Sequence, residues 1–295
     1  MLKKLMLILN PVAGKGKSPD CLAAVSRIFY RAGYIPSVFY SSGSGSVTQL
    51  VLDYAKDFDC VVCVGGDGTL SETVSGLAQL PKPPALGYIP QGTANDVAST
   101  LRLPRNPIAA AEAIIAGKPY PLDVGRFNLN DYFTYIAAFG AFTEVSYETP
   151  REVKQTFGQL GYILTAMSHL PSVTDYAVRI ETDDELIDDR LIFGSVSNST
   201  SVAGLLKLTE NEVSLDDGLF EVLLIQTPSN LSELNSIISN VMSRTFSGSK
   251  VKLLRSRKIK FTFDRPVKWT RDGETGGAHE SVLLENIHTP LRIIK

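Results

Sequence analysis

Residues 60–66, CVVCVGG, read as a strand without a polar side, ending in two glycines. A strand that is apolar on both faces has to be covered on both faces, and parallel sheets packed between helices meet that demand. Apolar segments of the same kind recur at KKLMLIL, IPSVFY and ALGYIP. Helical patterns separate them at PDCLAAVSRIFYRAGY, VTQLVLDYAK, LSETVSGLAQL, ANDVASTLR and IAAAEAIIAG. Strand–helix alternation with right-handed crossovers predicts a doubly wound α/β domain over residues 1–124. Near Asp123 the texture changes. YFTYIAAFGAF, DYAVRIET, RLIFGSVSN, LFEVLLIQ, KIKFTFD and ESVLLENI read as strands, and in KIKFTF the residues Ile259, Phe261 and Phe263 alternate with Lys258, Lys260 and Thr262. That predicts a mostly antiparallel β-sandwich domain over 125–288, with helices at VKQTFGQLGYILTAMSHL and NLSELNSIISNVMSR. Leu231, Leu234, Ile237, Ile238, Val241 and Met242 form a stripe on the second helix that reads as core.

Ligands of an open α/β sheet bind beyond the carboxyl ends of its strands. Three loops there share a composition: NPVAGKGKS (10–18), GGDGTLSE (65–72) and QGTAND (91–96). Glycine lets amides approach a ligand, and helix N-termini add unpaired N–H donors and a positive dipole end, so the set predicts phosphate binding. Thr69 and Thr93 add hydroxyls. The Walker A pattern fails because its leading glycine falls on Pro11, and no segment gives G-x-G-x-x-G. An aspartate among phosphate-binding amides repels phosphate unless a cation bridges the two, and Mg²⁺ takes carboxylate and phosphate oxygens together. Asp67 is therefore a candidate metal-bridging residue. A Gly-Asp-Gly turn with Asp67 as a cap stands as the alternative.

Composition narrows the class. The 295 residues, 44% hydrophobic and 20% charged, suit a soluble chain of one large or two modest domains. A net charge of −2 argues against nucleic acid as a partner. MLKKLMLILNP lacks the apolar length and cleavage site of a signal peptide and reads as a first strand, and no stretch approaches a membrane span. A cytoplasmic location follows as the expectation. Three cysteines argue against a disulfide framework, and Cys60 and Cys63 sit on opposite faces of one strand rather than in a redox pair. His169, His279 and His288 form no metal-ligand pattern. The acidic run 183–189, DDELIDD, reads as a solvated hairpin loop.

GGDGT after an apolar strand, Asn10-Pro11 near the start, GTANDVA (92–98) and RDGE (271–274) together resemble the diacylglycerol kinase catalytic family, which includes bacterial soluble lipid kinases and the sphingosine and ceramide kinases. The resemblance covers essentially the whole chain. It implies an ATP-binding domain, a β-sandwich domain for the lipid substrate, and a final segment, 289–295, that returns to the first domain. It places Asn10, Pro11, Val12, Ala13, Gly14, Ser41, Gly66, Asp67, Gly68, Thr69, Leu70, Ser71, Glu72 and Thr93 around ATP, with Asp67 engaging phosphates and Mg²⁺. Glu274 is implied as the general base that takes the proton from a lipid hydroxyl, a role phosphoryl transfer can use. The segment SLDDGLFEV (214–222) matches the family's structural Mg²⁺ loop, with Asp217 as side-chain ligand, Ser214 and Leu219 as carbonyl ligands, and Asp123 linked through water. From the residues alone, DDG and DGE read as turns. Ser71 stands where many members carry Asn, Glu210-Asn211-Glu212 replaces Pro-x-Ala, and Ala203-Gly204 replaces Gly-Gly. The expected activity is an ATP- and Mg²⁺-dependent kinase acting on diacylglycerol or a similar lipid. An NAD kinase is the rival enzyme, and a nucleotide- or lipid-binding regulator the rival outside enzymes. Contact with a membrane surface is expected of such an enzyme. Lys15, Lys17 and KVKLLRSRK (250–258) are its basic candidates, the last reading more simply as a solvated basic face. Monomer and homodimer both stay open.

Overall fold

The computed structural model describes residues 2–13, 21–93, 95–129, 131–140, 174–198, 201–202, 206–207, 216–242 and 250–295. The chain forms two compact units. One comprises Met1–Val124, Asp131–Thr134 and Ile287–Lys295, and the other Gly125–Asn130 and Tyr135–Asn286.

In the first unit β1 (Lys3–Leu9), β2 (Tyr34–Tyr40), β3 (Cys60–Gly65) and β4 (Ala85–Pro90) are parallel in the order β2-β1-β3-β4. The last strand, β15 (Glu274–Ile294), adds a parallel bridge to β4 at Ile293 and Leu86. Every residue of β3 and the run Leu5–Leu9 is buried, which is the two-sided burial read from the sequence. Helices α1 (Leu22–Arg31), α2 (Ser46–Tyr54), α3 (Asp67–Ala78), α4 (Asp96–Thr100) and α5 (Pro107–Ala116) follow in chain order. Val25 and Phe29 of α1 and Ala110, Ala111 and Ile114 of α5 pack against Leu5, Leu7, Leu9, Val62 and Val64. The Val, Leu, Ile and Phe side chains among these contribute roughly 1.5–3 kcal/mol each when fully buried. On α3, Gly76 lets Val51 of α2 come close; a Cβ there would lie 2.6 Å from the valine Cβ. Asn106 caps α5 by accepting the Ile108 and Ala109 amides, with Pro107 at the first helical position.

In the second unit the strands are antiparallel, in the order β13 (Val251–Ser256), β12 (Phe220–Gln226), β9 (Leu186–Ser197), β7 (Ile136–Gly140), β14 (Lys258–Arg271), β15. Strand β8 (Tyr176–Glu181) pairs with both β9 and β14. Ile259, Phe261 and Phe263 are buried while Lys258, Lys260 and Thr262 are exposed, as their alternation predicts. Phe261, Phe263 and Trp269 ring Phe139, with centroids 4.8–5.5 Å away. Gly194 makes room for Phe139, since a Cβ there would lie 2.3 Å from its ring. Leu234 and Ile237 of α6 (Leu231–Met242) are buried, in line with the stripe.

Three sequence readings change. Helix α3 begins at Asp67, so Asp67, Gly68 and Thr69 form its first turn rather than a loop ahead of it. The described part of YFTYIAAFGAF, up to Gly140, is two strands, β6 (Asp131–Phe133) and β7, broken at Thr134-Tyr135. The acidic run is mostly strand: β9 starts at Leu186, and the hairpin is confined to Thr182–Glu185, where the Asp183 carboxylate accepts the Arg257 amide and the Ser256 hydroxyl. The predicted helix VKQTFGQLGYILTAMSHL lies outside the described residues.

Candidate active site

The loops after β1, β2, β3 and β4 meet at the carboxyl edge of the parallel sheet. The Asn10 side-chain amide donates to Thr69 Oγ1 at 3.0 Å, and its oxygen accepts the Val12 amide at 3.1 Å, folding the start of the first loop onto the first turn of α3. The Ser41 amide donates to the Leu9 carbonyl at 3.0 Å. Glu72 reaches across to the loop after β2: its two carboxylate oxygens accept the amides of Gly45 and Val47 at 2.9 and 3.0 Å. A carboxylate at the start of α2 satisfies orphan amides and opposes the helix dipole. The structure therefore places Glu72 as a remote cap of α2.

Glycine has a specific task at two points here. A Cβ on Gly92 would lie 2.6 Å from the Gly66 Cα and 2.7 Å from Asn95 Oδ1, and one on Gly65 would strike the Thr69 side chain. The backbones after β3 and β4 thus touch, and the Gln91 amide donates to the Gly65 carbonyl at 2.7 Å. Asp67, half-buried, stands at the first position of α3 beside that contact, where the helix dipole favours its charge. Leu70 is buried, Gly68 and Ser71 are half-buried, and Thr93 and Val12 are exposed. Pro11 and Ala13 are half-exposed, and the Ala13 amide donates to the Asn10 carbonyl at 3.3 Å. Gly14, like Lys15 and Lys17, lies outside the described residues.

Asn95 was not singled out by sequence. It is buried with φ of 54°, its oxygen accepts the Gly92 amide at 2.8 Å and the Tyr88 hydroxyl at 3.2 Å, and its NH₂ donates to the Gly92 carbonyl at 2.9 Å. An Asn just before a helix is the available signal, because Asn tolerates left-handed backbone and bonds its own loop.

In the second unit Asp272 and Gly273 have φ of 47° and 85° and connect β14 to β15, with Arg271 paired to Glu274. That is the Asp-Gly hairpin turn the residues suggest. Glu274 is exposed at its exit. The turn is clamped: Asp272 Oδ1 accepts the amides of Tyr135 and Ile136 at 3.0 and 3.1 Å.

The loop 216–221 also lies in the second unit. Asp217 Oδ1 accepts the Leu219 amide at 2.9 Å, Oδ2 accepts from Arg255, and the Leu219 carbonyl accepts from Asn286 at 3.1 Å. Arg255 also reaches Glu221 Oε1 at 3.3 Å. Glu221 is 2% exposed; burial pushes its carboxyl up to about 8, Arg255 pulling it back and Asp217 adding to the rise. Ser214 lies outside the described residues. Asp123, on β5 (Pro119–Phe127) and fully buried, is hydrogen-bonded to His288 Nδ1 at 3.0 Å within the first unit. Among the described residues no three His, Cys, Asp or Glu side chains form a metal-holding group. A site made of one carboxylate, backbone carbonyls and water needs no such group, and the Asp217 loop offers that donor set.

Four of the five basic residues in segment 250–258 are ion-paired. Lys250 pairs with Glu233, Lys252 with Glu185, Arg255 with Asp217 and Glu221, and Lys258 with Glu285. That favours the solvated basic face over a free polybasic patch. No helix among the described residues is long and apolar enough to cross a membrane.

Residues 4–127 match the diacylglycerol kinase catalytic domain model, and residues 139–293 match the YegS C-terminal NAD kinase beta sandwich-like domain. The diacylglycerol kinase of Bacillus subtilis strain 168 is 34% identical over 279 residues, covering 94% of this chain and 91% of the relative. The chain belongs to the diacylglycerol kinase family. A family member from Staphylococcus aureus strain Newman, also a diacylglycerol kinase, is 33% identical over 284 residues, or 94% of this chain and 88% of its own. A crystal structure of a diacylglycerol kinase from Bacillus anthracis strain Sterne superposes with a TM-score of 0.80 at 23% identity, covering 99% of this chain and 96% of that one. That likeness concerns the fold: an α/β domain and a β-rich sandwich domain. The family assignment makes this member a kinase of two such domains.

Proposed function

We propose that this kinase transfers the γ-phosphoryl group of ATP to the free hydroxyl of a membrane lipid, diacylglycerol in the first place, giving phosphatidic acid and ADP. The contact of Gly66 with Gly92 beside Asp67, at the N-terminus of α3, is the observation that carries the nucleotide reading. It brings glycine backbone, a helix dipole and a carboxylate to one sheet edge, a combination suited to phosphate and a bridging cation. Asn10, Ser41, Thr69 and Thr93 line the approach, and Glu72 and Asn95 hold the loops that present them.

Glu274 is the candidate base. In the reaction its carboxylate takes the proton from the lipid hydroxyl as that oxygen bonds to the γ-phosphorus, and the bond to the ADP oxygen breaks. Its exposure at the exit of a two-residue turn leaves it open to an acceptor. Mg²⁺, where bound, neutralises phosphate charge and holds the phosphate oxygens. Asp67 is the residue that would meet it there, and Asp217 with the Leu219 carbonyl the pair that would hold a second, structural ion.

The test is transfer from γ-labelled ATP with Mg²⁺ to diacylglycerol in mixed micelles, beside other hydroxyl lipids and NAD, with wild type and Glu274→Ala. The expected result is labelled phosphatidic acid, reduced about 10²-fold or more in the variant, the scale of general base catalysis. Transfer to a different lipid would revise the acceptor, and transfer to NAD alone would overturn the lipid assignment.

A further inference from the structure

The cluster around Asp217 carries one more inference. Two carboxylates, Asp217 and Glu221, share the single guanidinium of Arg255, so the trio holds a net charge of −1 when ionised. Glu221 is 2% exposed, and its second oxygen, Oε2, is buried with no hydrogen-bond donor. Asn286 is 5% exposed, and its amide spends its NH₂ on the Leu219 carbonyl while its Oδ1 is buried and likewise lacks a donor. Buried acceptors without donors are rare because each forfeits its hydration. Here two of them flank one loop. Both are oxygens, and the shortage is of positive charge or of water held by positive charge.

We infer that Arg255 and a divalent cation compete for the Asp217 carboxylate, giving the loop 216–221 two closed states. In one, the guanidinium holds Asp217 and Glu221 together. In the other, the cation takes Asp217, Arg255 withdraws to Glu221 or to solvent, and the ion's water shell supplies the donors that Glu221 Oε2 and Asn286 Oδ1 lack. Arg255 is 43% exposed and sits on the edge strand β13, so it can leave without opening the core. The inference rests on reading Asp217 as a cation ligand.

The experiment is Mg²⁺ binding by calorimetry, with thermal unfolding in Mg²⁺ and in EDTA. Three proteins are compared: wild type, Arg255→Met, and the double variant Arg255→Met with Glu221→Gln, which removes the carboxylate the first would strand in the core. Nucleotide is absent throughout, and Asp67→Asn in each background removes the other candidate ion site. Removing the guanidinium that occupies Asp217 predicts Mg²⁺ affinity at least about tenfold tighter than wild type in both variants, although the double variant keeps the net charge of the cluster at −1. The Tm difference between Mg²⁺ and EDTA should be larger as well. Equal Mg²⁺ affinity in wild type and both variants would overturn the competition while leaving Asp217 a ligand. No Mg²⁺ binding in any of the three would overturn it together with the ligand reading.

Discussion

Asn95 and Glu72 each hold backbone at the carboxyl edge of the parallel sheet. Asn95 sits in left-handed backbone and makes three side-chain hydrogen bonds, two to Gly92 in its own turn and one to the Tyr88 hydroxyl on β4. Asn95→Ala keeps the strained φ and removes all three. A loss of about 2–3 kcal/mol of stability in urea unfolding is expected, together with a higher KM for ATP. Glu72→Gln is subtler. Glutamine offers one acceptor and one donor where Gly45 and Val47 present two N–H groups, so one amide is left facing a donor. The expected cost is about 1–3 kcal/mol, again with weaker ATP binding. Unchanged stability would mean that the carboxylate serves the ligand directly and the cap is incidental.

At the scale of elements, the parallel strands were legible because β3 and β1 are apolar on both faces, and only a covered sheet accommodates that. The hairpin at Asp272-Gly273 was legible as a turn, since the dipeptide suits positive φ at both positions. Its clamp was not. The Asp272 carboxylate bonds amides 136–137 residues away, and no local pattern encodes such a partner. Glu72 and Arg255 escaped for the same reason, their partners lying 25–38 residues off. The sequence puts the start of α3 too late because Gly-Asp-Gly looks like a loop, although an acidic residue in a first helical turn is favourable. The touching loops give the element-scale prediction. In Gly92→Ala the new methyl meets backbone at Gly66, which cannot rotate away, and the loops after β3 and β4 must separate. Stability should fall by about 1–3 kcal/mol, with ATP protection against thermal unfolding lost. A Gly92→Ala protein that binds ATP normally would show that this contact does not shape the phosphate site.

For the molecule as a whole, the titrating groups divide between the units. Among the described residues, the carboxyls held below their ordinary range all belong to the β unit. Asp175 is held by Arg190, Asp188 by Arg179, Glu233 by the Ser229 amide and Glu285 by Arg126; Asp183 is lowered by the Arg257 and Lys258 amides and the Ser256 hydroxyl, which outweigh its burial. A depressed carboxyl contributes stability above its unfolded value, near 4, that is lost as pH falls through the folded value. Each share is small, because these groups are solvent-screened. The α/β unit carries the opposite perturbation, shared in the β unit by Glu221, whose carboxyl, raised by burial to about 8, loses its contribution between about pH 4.5 and 8 and changes nothing outside that range. Burial pushes the Cys60 and Cys63 thiols up to about 12, from an ordinary value of 9.0. Their contribution is intact below the unfolded value and is lost as pH rises from about 9 toward 12. Below about pH 4, where Glu221 is already protonated, acid should therefore loosen the β unit first, and above about pH 9 alkali should loosen the α/β unit first. The chain supplies separate reporters: its one tryptophan, Trp269, is buried in the β unit, and its three cysteines lie in the α/β unit. Near pH 3, Trp269 emission should shift to the red while Cys60 and Cys63 stay protected from a pyridyl disulfide reagent, which reacts even in acid. Above about pH 10 the two thiols should become reactive while Trp269 emission is still native, the sign following from their raised values. Reporters that move together at both extremes would mean that the two units unfold as one, and that the division of charge between them has no separate consequence for stability.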